Sequence, residues 1–96
     1  MSSELNRSVL VVDDEAGMRL ALQASFQRDG WTVETASGVS EAISKFEQKR
    51  FPLVVTDVCM PDGDGFHVMR SVRSSAPETA VKVCSLTRET FDCTFH

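Results

Sequence analysis

Short strand-like segments alternate with helical segments along most of this chain. The segments with the length, the β-branched residues and the turn-forming flanks of strands lie at 8–12, 31–36, 53–56 and 81–85. In each interval between them, apolar residues recur at the spacing of a helix that buries one face. The resulting order β-α-β-α-β-α-β predicts a parallel sheet with right-handed crossovers, and the length of 96 residues predicts one α/β domain.

The helices are predicted from their ends as well as from their spacing. Gly30 lies where the first helix would end, and Ser37 is expected to cap the second. The third helix is expected after 60–65, a segment whose Pro, Asp and Gly residues are typical of a loop. No period is visible near the end of the chain. The predicted division is therefore an N-terminal tail at 1–7, a core domain at 8–85 and a divergent C-terminal tail at 86–96.

The composition argues against several classes of function. A net charge of −4 without a cluster of Lys and Arg disfavours direct binding of nucleic acid. No apolar run is long enough to span a bilayer, and the first residues lack the apolar centre of a signal peptide. We therefore expect a cytoplasmic protein without a membrane partner, in which Cys59, Cys84 and Cys93 are reduced thiols.

Acidic residues directly follow two of the predicted strands. Asp13 and Asp14 come after the first strand, and Asp57 follows the third. Because ligands bind beyond the carboxyl ends of the strands in open α/β sheets, these carboxylates would converge at one edge if the two strands are neighbours. Carboxylates in such a group cannot all stay ionised cheaply without a cation, and oxygen ligands favour a hard ion such as Mg²⁺. The sequence therefore predicts a magnesium site.

Two other interpretations of these acids remain open. They can serve only to stabilise the following helix, whose dipole favours negative charge by about 0.3–1 kcal/mol. That suits Glu15 and in part Asp14, but it leaves Asp57 unexplained, because Asp57 begins a loop. If the acids do bind Mg²⁺, a separately placed aspartate suggests phosphoryl transfer through an acyl phosphate, and an Mg²⁺-dependent phosphohydrolase is then a competing function. A phosphohydrolase of that kind usually has a second acid two residues after the nucleophile, where this chain has Cys59.

Two motifs resemble the receiver domain of bacterial two-component response regulators. They are VLVVDDE at 9–15 and LVVTDVCMPDGDGF at 53–66, and the resemblance covers about 8–85. It implies a flavodoxin-like, doubly wound parallel sheet of order 2-1-3-4-5. It also implies a sensor histidine kinase as partner and an output domain in the full-length protein. The chain would be a phosphoacceptor with at most weak autodephosphorylation rather than an enzyme in the usual sense.

The resemblance assigns roles to individual residues of the acidic site. Asp57 matches the phosphoacceptor, which also contacts the metal. Asp14 matches the direct Mg²⁺ ligand, and Asp13 would act mainly through water. The backbone carbonyl of Cys59 matches the third protein ligand.

Two residues near the fourth strand compete for one further role in this resemblance. Ser85 matches the Ser or Thr that bonds a phosphoryl oxygen after phosphorylation. Thr87, two residues further on, is its rival, because it would point to the same side if the strand continued. Alignment from Asp57 and from Pro77 favours Ser85.

The chain departs from the family pattern near its C-terminal end. No residue matches the family's Lys at the end of a fifth strand, and Lys82 does not occupy that position. We therefore expect a sheet truncated after about the fourth strand, which becomes an exposed edge. Either a homo-oligomer forms through that edge, or the tail at 86–96 folds back on it. The alternative function is a switch-deficient, receiver-like scaffold, or a self-associating fragment, lacking the Lys and the output face.

Overall fold

The computed structural model describes residues 7–86 and 91–95, and for residues 59, 85, 86 and 91–95 it describes the backbone alone. The predicted strands and helices are present, and a small hairpin lies in the segment predicted as a loop. The elements, numbered in chain order, are β1 (Ser8–Val12), α1 (Ala16–Arg28), β2 (Thr32–Ala36), α2 (Val39–Gln48), β3 (Leu53–Asp57), β4 (Cys59–Met60), β5 (Gly63–Asp64), α3 (Gly65–Ser75), β6 (Ala80–Leu86) and β7 (Phe91–Phe95).

The main sheet has the strand order β2-β1-β3-β6-β7. β1 pairs in parallel with β2 and with β3, and β3 pairs in parallel with β6. The first four strands thus occupy the first four positions of the predicted order 2-1-3-4-5, which confirms the doubly wound parallel fold. The carboxyl ends of β1, β3 and β6 consequently lie at the same edge of the sheet, where ligands bind in folds of this kind.

The outer strand β7 differs from the prediction that the sheet stops at its fourth strand. β7 runs antiparallel to β6, with Lys82 opposite Phe95 and Leu86 opposite Phe91. The prediction that the fourth strand is an exposed edge is therefore wrong, because β7 pairs with the outer side of β6. The predicted homo-oligomer would have formed through the outer side of β6, which β7 occupies instead. The alternative prediction, a tail that folds back on the sheet, agrees with the structure over 91–95.

Two apolar layers cover the faces of the sheet. Leu10 and Val12 of β1 belong to the layer that contains the buried residues of α2 and α3. Val9 and Val11 belong to the other layer, against which the half-buried apolar side chains of α1 pack. All of β1 is buried, which explains why its sequence is continuously apolar rather than alternating. The two layers are unequal, since none of the residues of α1 is fully buried.

The helices in the described part of the chain are short. α1 has 13 residues, α2 has 10 and α3 has 11. None of these helices combines the length and the hydropathy that crossing a bilayer requires.

Cys84 corrects the prediction of reduced thiols. It is fully buried in β6 and it is disulfide-bonded. Cys93 is the residue paired with it in the backbone register of β6 and β7. The prediction rested on the number of cysteines and on the expected compartment, and neither indicates which residues become neighbours in the fold.

The start of α2 also differs from the prediction. Its N-cap residue is Gly38 rather than Ser37, and this residue makes no side-chain bond to the helix. The backbone N–H and the hydroxyl of Ser37 instead both donate to one carboxylate oxygen of Glu41, at 2.9 and 2.8 Å. The first turn of α2 is capped by Asp62, which lies in the turn between β4 and β5. The cap therefore comes from a distant loop.

Candidate metal centre

Three carboxylates converge at the carboxyl edge of the sheet. β1 and β3 are neighbours, and their last paired residues are Val12 and Thr56. Asp13 follows the first of these and Asp57 follows the second, so the register places both at the same level. One carboxylate oxygen from each of Asp13, Asp14 and Asp57 lies within 4.8 Å of the others. The structure thus brings the three predicted acids together.

Asp13 is the buried member of this cluster, with 1% of its surface exposed. Its Oδ1 accepts a hydrogen bond of 2.9 Å from the backbone N–H of Glu15. Its Oδ2 is buried and has no hydrogen-bond partner among the described residues. The guanidinium of Arg19 donates to the backbone carbonyl of Asp13 at 2.8 Å. A buried carboxylate oxygen without a partner is costly, so this atom favours a cation, a bridging water or a proton.

The protonation of Asp13 reflects the same environment. Burial raises the pKa of the Asp13 carboxyl from 3.8 to about 6. The hydrogen bond from the Glu15 backbone opposes this rise, whereas the negative charges of Asp57, Asp14 and Glu15 add to it. Because a nearby cation would favour the charged form and reverse the shift, the donor set fits a hard metal ion bound by oxygen.

Asp57 is half-buried at the end of β3, so solvent reaches this residue. Its Oδ1 accepts a hydrogen bond of 2.7 Å from the backbone N–H of Val58. The same N–H group also donates to the carbonyl of Cys84 in β6, at 3.0 Å. The hydroxyl of Thr56 donates to the Asp57 carbonyl at 3.1 Å. The carboxylate is therefore held in a fixed orientation by backbone that is itself anchored to β6.

The remaining predicted site residues are placed by their backbone. Cys59, two residues after Asp57, begins the β4–β5 hairpin and pairs with Asp64. Ser85 follows Cys84, the residue of β6 that is paired with Asp57. Ser85 thus lies near the carboxyl end of β6, and the roles of both residues remain predictions that come from the family resemblance. Thr87, the rival of Ser85, lies outside the described residues.

Gly65, the first residue of α3, lies where there is no room for a side chain. A Cβ added to Gly65 would collide with the backbone carbonyl oxygen of Asp57. It would also lie 3.0 Å from Cγ1 of Val83 and 3.1 Å from Cγ2 of Thr56. The backbone N–H of Gly65 donates to the carbonyl of Val58 at 2.8 Å, which fixes this close approach. The start of α3 thus packs directly against the backbone of Asp57.

Replacement of this glycine is expected to destabilise the fold. Gly65→Ala forces the backbone of Asp57 or of α3 to shift, and overpacking of this kind costs about 1–3 kcal/mol. Gly17→Ala on α1 is the matched control, because nothing lies within 4 Å of the Cβ that it adds. That control is expected to stabilise the helix by about 0.5–1 kcal/mol. Urea unfolding curves measure both variants, and equal effects would contradict the close approach.

Asp62 caps α2 from the hairpin that follows Asp57, and the sequence analysis did not identify this contact. Its Oδ1 accepts a hydrogen bond of 2.9 Å from the Val39 backbone N–H, and its Oδ2 accepts one of 3.1 Å from the Ser40 backbone N–H. Both hydrogen bonds lower the pKa of the Asp62 carboxyl, and the bond from Val39 has the larger effect. The sequence indicates this contact only indirectly: the N-cap residue of α2 is Gly38, which has no side chain to cap the helix.

The comparisons with known proteins agree with this geometry. Residues 9–94 match the family model described as "Response regulator receiver domain". The alkaline phosphatase synthesis transcriptional regulatory protein PhoP of Bacillus subtilis is 35% identical over 88 residues. That match covers 92% of this chain but 37% of the relative, so the chain spans about a third of the length of this regulator.

Solved structures give the same assignment. The response regulator protein TrrA of Thermotoga maritima, in complex with Mg(2+)-BeF, superposes with a TM-score of 0.73 and 32% identity, covering 80% of this chain and 65% of that chain. The chemotaxis protein CheY4 of Vibrio cholerae gives a TM-score of 0.75 and 31% identity, covering 85% of this chain and 72% of that chain. Fold, acidic cluster and family match all lead to one conclusion: the chain belongs to the response regulator receiver domain family.

Proposed function

We propose that Asp57 of this chain accepts a phosphoryl group from a sensor histidine kinase, with Mg²⁺ held by the acidic cluster. One observation carries the proposal. The half-buried carboxylate of Asp57 lies in one cluster with the carboxylate of Asp13, whose buried Oδ2 has no hydrogen-bond partner among the described residues. A buried carboxylate in that state supports a cation next to a nucleophile, which is the arrangement that phosphoryl transfer requires.

In the proposed reaction a carboxylate oxygen of Asp57 attacks the phosphorus of a phosphohistidine. The new O–P bond forms as the N–P bond breaks, and the product on Asp57 is an acyl phosphate. The imidazole nitrogen of the kinase keeps the electron pair of the broken bond and takes up a proton. Bound Mg²⁺ would neutralise charge on the carboxylates and on the transferred group. The Val58 N–H, 2.7 Å from Oδ1 of Asp57, fixes the orientation of the nucleophile.

The proposed metal ligands follow from the placement of the acids. Asp14, Asp57 and the backbone carbonyl of Cys59 would bind the ion directly, and Asp13 would act mainly through water. Asp14 is exposed and Asp57 is half-buried, so both can bind an ion that keeps several of its waters. The buried Oδ2 of Asp13 suits a hydrogen bond from a metal-bound water, because it needs a donor.

The proposed partner of the transferred phosphoryl group on β6 is the hydroxyl of Ser85. Its support is its position, one residue beyond the Cys84 that pairs with Asp57. Thr87 remains the rival for this role. Ser85→Ala is expected to leave acceptance of the phosphoryl group possible but to weaken its retention, because one donor to the phosphoryl oxygens is lost.

The wider biological role is inferred from the relatives. The match covers 37% of PhoP and 27% of ResD, which are both named as transcriptional regulatory proteins of Bacillus subtilis. We propose that this receiver lies in the cytoplasm and serves an output domain in the full-length protein. It would act as a signalling switch with slow autodephosphorylation, rather than as an enzyme that turns over substrates.

Phosphorylation by a small-molecule donor tests the proposal directly. The purified protein is incubated with acetyl phosphate and Mg²⁺, and its intact mass is measured beside an Asp57→Asn control. We expect a gain of one phosphoryl group in the wild type and none in the control or in the presence of EDTA. The time course after removal of the donor measures autodephosphorylation.

The opposite result would favour the alternative function. A folded wild-type protein that gains no mass would be a receiver-like scaffold, unable to switch. Mass gain that persists in the Asp57→Asn variant would place the phosphoryl group elsewhere, and it would overturn the assignment of Asp57.

A further inference from the structure

We infer that Asp62 is a positioning residue, whose carboxylate fastens the β4–β5 hairpin to the first turn of α2 and thereby sets the geometry of the loop after Asp57. The inference rests on the proposed function, because that loop carries the proposed carbonyl ligand of Cys59. It extends that function by assigning a role to a residue outside the acidic cluster.

The contact joins two parts of the chain that are far apart in sequence. Each oxygen of the Asp62 carboxylate accepts one backbone N–H group of α2, from Val39 at 2.9 Å and from Ser40 at 3.1 Å. The first N–H groups of a helix have no partner within the helix. The positive end of the helix dipole lies at the same place, and it favours a carboxylate. Because the N-cap residue Gly38 has no side chain, the carboxylate of Asp62 caps α2 from another loop.

Two glycines show that the hairpin and the helix fit closely. A Cβ added to Gly38 would lie 2.9 Å from Oδ1 of Asp62, so a side chain there would compete for the same space. Gly63 adopts a φ of +149°, which side chains rarely adopt, and a Cβ added to it would lie 3.0 Å from Cγ2 of Val39. The tip of the hairpin is therefore shaped to meet the first turn of α2.

The hairpin is fastened at its base as well as at its tip. At the base, the Gly65 N–H donates to the carbonyl of Val58 at 2.8 Å, and Cys59 pairs with Asp64. At the tip, the bonds of Asp62 hold it against α2. A two-residue ladder alone is a weak constraint, because isolated hairpins are marginally stable in water. The orientation of the Cys59 peptide consequently depends on the attachment at both ends.

A matched pair of variants isolates this contact from the loss of charge. Asp62→Asn and Asp64→Asn make the same change of charge within the same hairpin. Asp64 uses a single oxygen, which accepts from the His67 N–H at 2.9 Å, and Asn caps a helix as well as Asp does. Asp62 uses both oxygens, and an Asn side chain offers only one acceptor. Only Asp62→Asn therefore loses a hydrogen bond.

Mg²⁺ binding, followed through amide chemical shifts, gives the first readout. We expect Asp62→Asn to raise the half-saturating Mg²⁺ concentration about tenfold, the lower end of the range for residues that orient metal ligands. Asp64→Asn is expected to change it by less than about twofold, because a surface charge is screened. Equal shifts in the two variants would overturn the inference, since charge alone would then explain both.

Hydrogen exchange gives a second readout that does not depend on the metal. The amides of Val58 and Gly65 are expected to exchange faster in Asp62→Asn than in Asp64→Asn, because the hairpin loses its attachment at the tip. Unchanged exchange would contradict the positioning role. If the wild type itself gave no response to Mg²⁺, the proposed function would fail, and the exchange rates would still decide on Asp62.

A double variant separates positioning from simple capping of α2. In Asp62→Ala the space beside Gly38 opens, and Gly38→Ser in that background supplies a local cap to the helix. We expect this double variant to recover the thermal stability lost in Asp62→Ala but to keep the weakened Mg²⁺ binding. Recovery of both properties would show that Asp62 serves only to cap α2.

Discussion

Asp13→Asn is expected to stabilise the metal-free protein at neutral pH, although it removes a residue of the candidate metal centre. The Asp13 carboxyl is 1% exposed, and burial raises its pKa from 3.8 to about 6. Ionising it in the folded state therefore costs free energy, up to about 3 kcal/mol at 1.36 kcal/mol per pKa unit. Asn avoids that cost and keeps the acceptor for the Glu15 backbone N–H.

The same shift predicts how stability changes with pH. Because the folded-state pKa of Asp13 is raised, the folded protein holds a proton that the unfolded chain has already lost between pH 3.8 and about 6. The stability that Asp13 contributes to the folded protein is therefore greatest below pH 3.8, and it is lost as the pH rises through about 6. Glu41 and Asp62 act in the opposite direction, since their hydrogen bonds lower their pKa values.

The difference between the wild type and Asp13→Asn isolates this contribution from that of the other acids. Urea unfolding in EDTA, repeated across the pH range, gives the free energy of unfolding of each protein. We expect the variant to become more stable relative to the wild type as pH rises, and Mg²⁺ to stabilise the wild type more than the variant. Asp14→Asn, at an exposed position, is expected to change stability by less than about 0.5 kcal/mol without metal. Parallel curves for the wild type and Asp13→Asn would contradict the assignment.

Phe51→Ala is expected to cause the largest loss of stability, about 3–5 kcal/mol, because it empties a fully buried aromatic position. Phe51 is 1% exposed, and its ring packs against that of Phe46 with 6.3 Å between the centroids. Its backbone carbonyl also accepts a buried hydrogen bond of 2.8 Å from the hydroxyl of Thr79. A loss of this size approaches the whole stability of a small domain.

The matched control for Phe51 lies in the opposite layer of the core. Phe26 of α1 is half-buried and meets the ring of Trp31 edge-on, with 5.6 Å between the centroids. Phe26→Ala is expected to lower the free energy of unfolding clearly less than Phe51→Ala, because the side chain that it removes buries less apolar surface. The free energies of unfolding of the two variants decide the comparison. Similar losses would show that the layer under α1 carries as much of the stability as the other layer.

The parallel part of the fold and the acidic cluster could be predicted because both follow from short-range pattern. Continuous apolar runs such as 8–12 predict strands buried on both faces, and alternation with helices predicts parallel neighbours. Once β1 and β3 are neighbours, Asp13 and Asp57 must meet, since Asp13 follows β1 and Asp57 is the last residue of β3. The roles of Cys59 and Ser85 came from family resemblance alone, and they remain proposals.

Other features depend on contacts that leave no pattern in the sequence. Ser37 was a plausible cap for α2, but the carboxylate of Asp62 occupies that position from another loop. The collision that Gly65 avoids is with the backbone of Asp57, and it becomes visible only once α3 is packed. Apolar and polar residues alternate over 91–95, but a run of five residues is too short to predict the pairing of β7 with β6.

The pairing of β7 with β6 has a consequence for the order in which the sheet assembles. Leu86 pairs with Phe91 across a short connection, whereas the pairing of Ser8 with Thr32 must wait for a whole helical crossover to close. Closing a short loop costs less entropy, and contacts of low sequence separation form early. The pairing of the outermost strand is thus governed by local folding, and we expect it to form before the helical crossovers of the parallel strands have closed.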